Sequence, residues 1–239
     1  MRSRSSSENV YATAKQGWRA RAASAVSGRA RARRHARLFA LTGVTPDSRI
    51  LDVGCGRLGL RRHAPGHDVT GVDRVPRPDY PGPFVQADVL QGLPFADGEF
   101  ELAYCSSVIE HVAIDDRAAF AAELRRVAHG WYVQTPAFSF PLEPHALLPF
   151  AHWLPLALRR PYWRLGVAGE WEQIDLLRRA EMARLFGEPV AERAGPLVKS
   201  WISVGSARDP QTRPALGAAT LSRDGTAALV PASRGGRAA

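Results

Sequence analysis

Five short apolar runs, spaced as in a chain that alternates strands with helices, constrain this fold most. They are Arg49–Val53, Asp68–Val72, Phe84–Ala87, Glu101–Cys105 and Trp131–Gln134. Each is short and bounded by Gly, Asp, Pro or Ser, as buried parallel strands should be. Between the fourth and fifth runs, Asp115–Ala128 repeats Ala118, Phe120, Ala121, Leu124 and Val127 at helical spacing. Asp115 and Asp116 stand at its start, where carboxylates favour the helix dipole. An earlier helix is expected over Gly28–Leu41 and a later one over about Gln173–Phe186. Strands at Val190–Arg193 and Val198–Val204 complete the expected class: α/β, Rossmann-like, with a seven-stranded, mostly parallel sheet. One crossover departs from this plan. Between the second and third runs lies DRVPRPDYPGP, whose four prolines exclude a helix.

Charge divides the 239 residues unevenly. Residues 1–37 hold ten Arg or Lys against one acid, which equals the net charge of +9, and the remainder is neutral. Residues 1–27 therefore read as a disordered basic arm and residues 206–239, low in complexity, as a disordered tail. That leaves 28–205 as the folded domain. The neutral domain argues against nucleic acid as the substrate. No uninterrupted apolar stretch approaches the roughly 18 residues of a spanning helix, and arginines break every alanine run near the start, so no secretory leader is expected. The two cysteines, Cys55 and Cys105, make no zinc site, and no metal centre is expected. A cytoplasmic location with reduced thiols follows as the expectation. The oligomeric state stays open.

The chemistry concentrates at Ile50-Leu51-Asp52-Val53-Gly54-Cys55-Gly56. A buried strand there runs into a glycine turn, expected to lead into a short helix, so that backbone N–H groups face a ligand at close range. Asp73 ends the second strand, 19 residues after Gly54, where a carboxylate can accept from both ribose hydroxyls. Asp88 ends the third in QADVL (86–90), placed to take the amino group of an adenine edge. GCGRLG (54–59) also satisfies the dinucleotide pattern G-x-G-x-x-G, which keeps a nicotinamide-dependent oxidoreductase as an alternative.

With LDVGCG (51–56), VTGVD (69–73), QADVL, LPFADGEFELAYCSSVIEHV (93–112) and VKSWISV (198–204), the chain resembles the class I S-adenosylmethionine-dependent methyltransferases. The resemblance covers about residues 38–205 and is to the small-molecule type that includes quinone-biosynthesis methyltransferases. It implies S-adenosylmethionine as cofactor, with Asp52, Gly54, Cys55 and Gly56 around its methionine part and Asp73 with Arg74 at the ribose. Ala87, Asp88 and Val89 would frame the adenine, with Ser106 after the fourth strand. Cys55 also reads as a small filler, and Cys105 as a core residue. Leu58 stands where the family has its third glycine, and Gly59 follows it. Nucleic-acid methylases of the adenine type carry an Asn/Asp-Pro-Pro-aromatic run where this chain has Ser106-Ser107-Val108-Ile109. That leaves such a methylase, and a non-catalytic methyltransferase-like partner module, as weaker alternatives.

Glu110 and His111 follow the fourth strand, where the family commonly has an acid–histidine pair. His111 is the candidate general base, with a pocket-shaping role as its alternative. Glu143 and His145 are candidates to orient or deprotonate the acceptor, or else members of a structural network. Residues 137–168 hold six of the twenty aromatic residues among several prolines and read as an irregular lid insertion. The apolar stretch Ala146–Leu158, flanked by Arg159, Arg160 and Arg164, suits a small or lipid-like acceptor and a peripheral membrane contact. The alternative is that these aromatics cap the sheet as ordinary core.

Overall fold

A computed structural model describes residues 36–168, 171 and 173–206. The basic arm, most of the expected first helix and the tail beyond Ser206 lie outside the described residues. Helix α1 is described over residues 36–42. Seven strands form one sheet: β1 Arg49–Val53, β2 Asp68–Asp73, β3 Phe84–Gln86, β4 Phe100–Ser106, β5 Ala128–Pro136, β8 Val190–Ala194 and β9 Leu197–Ser206. Their order is β3-β2-β1-β4-β5-β9-β8. The first five run parallel, β9 lies antiparallel to β5, and β8 antiparallel to β9. The expected seven-stranded sheet is thus present.

Both faces are covered, as the apolar runs require. On one face α2 (Arg117–Val127) and α4 (Arg179–Phe186) pack Phe120, Leu124, Met182 and Phe186 against Leu51, Val53, Ala103 and the fully buried Trp131. On the other, Leu38 of α1 joins Leu60, Ala64, Ile50, Tyr104 and Tyr132. Arg117 is also buried. It joins the helices through an ion pair with Glu181 at 2.7 Å and donates to the carbonyls of Val112 and Asp175.

Four local expectations change. The stretch after the glycine turn forms successive turns over residues 57–63 instead of a helix. Ala118 is exposed, because the apolar face of α2 starts at Phe120. The helix expected from Gln173 begins only at Arg179. Before it, Asp175 N–H donates to the Glu110 carbonyl and Leu177 bridges Ala137 in parallel, holding that segment extended. The aromatic insertion contains a regular helix, α3 (Leu156–Trp163). It follows Pro155 and ends two residues after Pro161, which donates no N–H. A two-stranded ribbon, β6 (Leu142–Glu143) with β7 (Leu148–Pro149), precedes it.

The proline-rich crossover forms no helix, as expected. Tyr80 covers the sheet there: it is buried, and a Cβ on Gly71 of β2 would lie 2.6 Å from its ring.

Candidate functional site

The C-terminal ends of β1–β4 open into a cavity of about 420 Å³, within the range of small-ligand clefts. It sits where the strand order reverses between β1 and β4, the usual ligand position in open α/β sheets. The turn after β1 lines it. Gly54 holds φ +67°, and a Cβ there would lie 2.4 Å from Cγ2 of Val108, so the turn passes under the β4 loop only as glycine.

Asp73 lines the cavity at the end of β2. Three donors hold its carboxylate: Val75 N–H to Oδ1 at 3.0 Å, Gly56 N–H to Oδ2 at 3.1 Å and Arg77 Nε to Oδ2 at 2.9 Å. A carboxylate offers about four lone-pair sites, so one remains for a ligand hydroxyl and a second opens when Arg77 moves. Arg77 lines the same cavity and was missed in the sequence, where it lay in the irregular crossover. Without a helix there, its spacing from Asp73 gave no signal. Asp88 caps a single 3-10 turn (Val89–Gln91), accepting from Leu90 N–H at 3.0 Å. Gly56, Arg74, Ala87 and Val89 also line the cavity.

Asp52, Cys55 and Ser106 do not line it. Asp52 Oδ2 accepts from Leu60 N–H at 2.6 Å, with the Tyr80 hydroxyl 3.5 Å away. A Cβ on Gly59, at φ +49°, would lie 2.1 Å from that oxygen. Gly59 therefore leaves the room that lets Asp52 clamp the loop from behind. Burial, outweighing the Leu60 hydrogen bond, pushes the Asp52 carboxyl up to about 7. Burial likewise pushes the thiols of Cys55 and Cys105 up. The Ser106 hydroxyl donates to Gln134 Oε1 at 2.7 Å.

The two acid–histidine pairs meet. His111, at the end of the 3-10 turn Ile109–His111, lines the cavity, whereas Glu110, Glu143 and His145 do not. Glu110 is buried and accepts from the Thr135 hydroxyl at 3.0 Å through Oε2. His145 Nδ1 lies 2.7 Å from Glu143 Oε1, and its Nε2 lies 4.0 Å from Glu110 Oε1. The rings of His111 and His145 meet edge to face, centroids 5.1 Å apart. Burial alone would push the Glu143 carboxyl up, but hydrogen bonds from His145 and the Ala146 N–H hold it below its ordinary value.

No residue of 137–168 lines the cavity; the insertion reaches the site through His145. Trp163 is buried in a separate small core with Ala146, Ile174, Phe138 and Trp171, while Phe150 and Trp153 are 51% and 44% exposed. Ser107, Val108, Val112, Asp116 and Phe120 also line the wall. Ser107 takes φ 58°, unusual for a residue other than glycine. Their shared signal was position, at the end of β4 and the start of α2.

Residues 51–130 match the family model described as a methyltransferase domain. Among solved structures, a Pyrococcus horikoshii protein is similar at 16% identity and a TM-score of 0.52, over 72% of this chain and 87% of its own. The magnesium protoporphyrin IX methyltransferase of Synechocystis, solved with bound S-adenosylhomocysteine, is similar at 13% identity and a TM-score of 0.50, over 80% and 90%. The 1,6-didemethyltoxoflavin-N1-methyltransferase of Burkholderia thailandensis has 17% identity and a TM-score of 0.47, over 71% and 74%. At these identities the likeness to the first two is one of fold. No curated protein matches the sequence.

Proposed function

We infer that the protein whose residues 51–130 carry this methyltransferase domain is a class I S-adenosylmethionine-dependent methyltransferase acting on a small organic acceptor. The observation that carries the reading is the convergence of Gly54, Asp73 and Asp88, from three successive strand ends, on one cavity. The fit to the cofactor rests on this wall. Gly54 has no room for a Cβ, so bare backbone meets the ligand, and Asp73 keeps acceptor capacity for ribose hydroxyls. Asp88, flanked by Ala87 and Val89, would take the adenine amino group. When bound, the cofactor supplies a methyl group on a positively charged sulfonium.

The chain's own part is mainly to position and to exclude water. Holding two reactants in line can supply on the order of 7–11 kcal/mol. The cavity wall also combines apolar Val112, Ala113 and Phe120 with the His111 imidazole. That mixture supports an acceptor with an apolar body and one hydroxyl or amine, whose proton His111 would receive. The exposed Phe150, Trp153, Leu156, Leu158 and Leu165, beside exposed Arg160 and Arg164, support a lipid-like acceptor met at a membrane surface. No helix among the described residues is long and apolar enough to cross a membrane.

Calorimetry with S-adenosylhomocysteine and, separately, NAD tests the cofactor. Binding of the former alone is expected, and preference for NAD would restore the oxidoreductase alternative. A metabolite screen with isotope-labelled methyl donor then identifies the acceptor. No labelled product in any fraction, with the cofactor bound, would favour the partner-module alternative.

A further inference from the structure

Glu110 Oε1 is a buried carboxylate oxygen that accepts no hydrogen bond from any described residue. Burying a charged acceptor in that state is costly. It faces His145 Nε2 at 4.0 Å. The other ring nitrogen, Nδ1, lies 2.7 Å from the Glu143 carboxylate, which can only accept, so the proton sits on Nδ1. A buried acceptor oxygen without a donor leaves room for a cation beside it. One donor atom each from Glu110, His111 and His145 all lie within 4.8 Å of one another.

We propose that Glu110, His111 and His145 form a binding site for a divalent transition-metal ion of the zinc type, opening onto the cavity beside His111. Two imidazoles and one carboxylate are an established donor set for such ions, with a further position left for water or a ligand group. Zinc–nitrogen bonds of about 2.0–2.1 Å place tetrahedral donors about 3.3 Å apart, so closure requires donor shifts of about 1.5 Å or less. His111 ends a single 3-10 turn and His145 lies between the short strands of the ribbon, where such shifts are local. The supporting contacts match what metal-bound histidines need. Glu143 fixes the His145 ring from behind, and the Thr135 hydroxyl orients Glu110 through its other oxygen. With the ion bound, His111 would serve as a ligand instead of a base, and an acceptor hydroxyl on the ion would lose its proton to water before the methyl arrives.

The site is testable apart from methyl transfer. Full-length protein is treated with a chelator and titrated with Co2+, followed by Zn2+ competition. One equivalent, with visible Co2+ absorption of a low-coordinate N/O site displaced by Zn2+, is expected. His111→Gln, on the cavity wall, is the variant least able to disturb folding and should remove the absorption at an unchanged melting temperature. Glu143→Gln should keep the stoichiometry and weaken affinity about 10- to 100-fold. Failure of the wild type to take up an equivalent, or an unchanged Zn2+ affinity in His111→Gln, overturns the proposal. S-adenosylhomocysteine calorimetry on the same metal-free protein reads the cofactor site separately.

Discussion

Asp73→Ala removes the carboxylate on which the ribose assignment rests. Asp73 is 9% exposed and held by two backbone N–H groups besides Arg77, so its position is set by the fold before any ligand arrives. Two ribose hydroxyls need acceptors, while the Asp73 carboxylate has one lone-pair site open and one occupied by Arg77. Charged hydrogen bonds contribute about 1.5–3 kcal/mol each. If water replaces one of the two, the net loss is that of one bond, about 10- to 150-fold in affinity. Isothermal calorimetry with S-adenosylhomocysteine reads this directly, and Arg77→Ala is its control. Removing Arg77 frees an acceptor site, so that variant should bind as tightly as the wild type or more tightly. Unchanged affinity in Asp73→Ala refutes the ribose assignment. An equal loss in Arg77→Ala also refutes it, because the ligand would then contact the guanidinium and Asp73 would merely hold that group.

Asp52 sits near 7 in the fold against an ordinary 3.8, so the unfolded chain loses this proton first as pH rises. Its contribution to stability is complete below about pH 4 and lost through about pH 7, with a slope of roughly 1.4 kcal/mol per pH unit. Urea midpoints should therefore fall over that window in the wild type relative to Asp52→Asn, and parallel profiles would contradict the burial argument. Arg117→Met leaves Glu181 and the Val112 and Asp175 carbonyls without their donor, and should cost about 3 kcal/mol, the low end for a broken buried pair because Glu181 is partly exposed. Chemical denaturation measures it, and a loss below about 1 kcal/mol would show that the pair does not tie the helices together. The double variant Phe150→Ala/Trp153→Ala touches two half-exposed rings and should melt within a few degrees of the wild type; early melting would place them in a core.

The sheet was legible because its central parallel strands bury both faces, which forces apolar runs that sequence alone displays, while the edge strand β3 is only half-buried. The failures are equally physical. Residues 173–178 carry Ile174, Leu176 and Leu177 at spacings compatible with a helix. Their backbone is instead held extended by Glu110, Ala137 and Phe138, contacts far away in sequence. Prolines 155 and 161 read as helix breakers, yet Pro155 stands just before the first turn of α3, where it is tolerated, and Pro161, withholding the N–H that would reach the Ala157 carbonyl, is followed by only two more helical residues. Local pattern identifies what a segment tolerates; its distant partners decide what it adopts.

The same division runs through the site. Gly54, Asp73 and Asp88 could be read because each stands at a strand end, and the sheet carries strand ends to one place. Asp52 shares that motif, but its side chain falls on the opposite side of the turn, where Leu60 and Gly59 complete its surroundings. Being next to the glycines in sequence did not make it part of the cavity wall. Glu110–His111 and Glu143–His145 illustrate the converse. Each pair looked like a separate candidate, one after β4 and one in the insertion. The ribbon of β6 and β7 returns His145 to the turn after β4, so the two pairs share one cluster that His111 opens to the cavity. Glu110 therefore faces His145 as well as standing beside His111, and a role assigned to either histidine alone omits the charge they both adjoin. Kinetic or spectroscopic effects of changing His111 should accordingly depend on whether His145 and Glu110 are intact, as expected of one coupled unit.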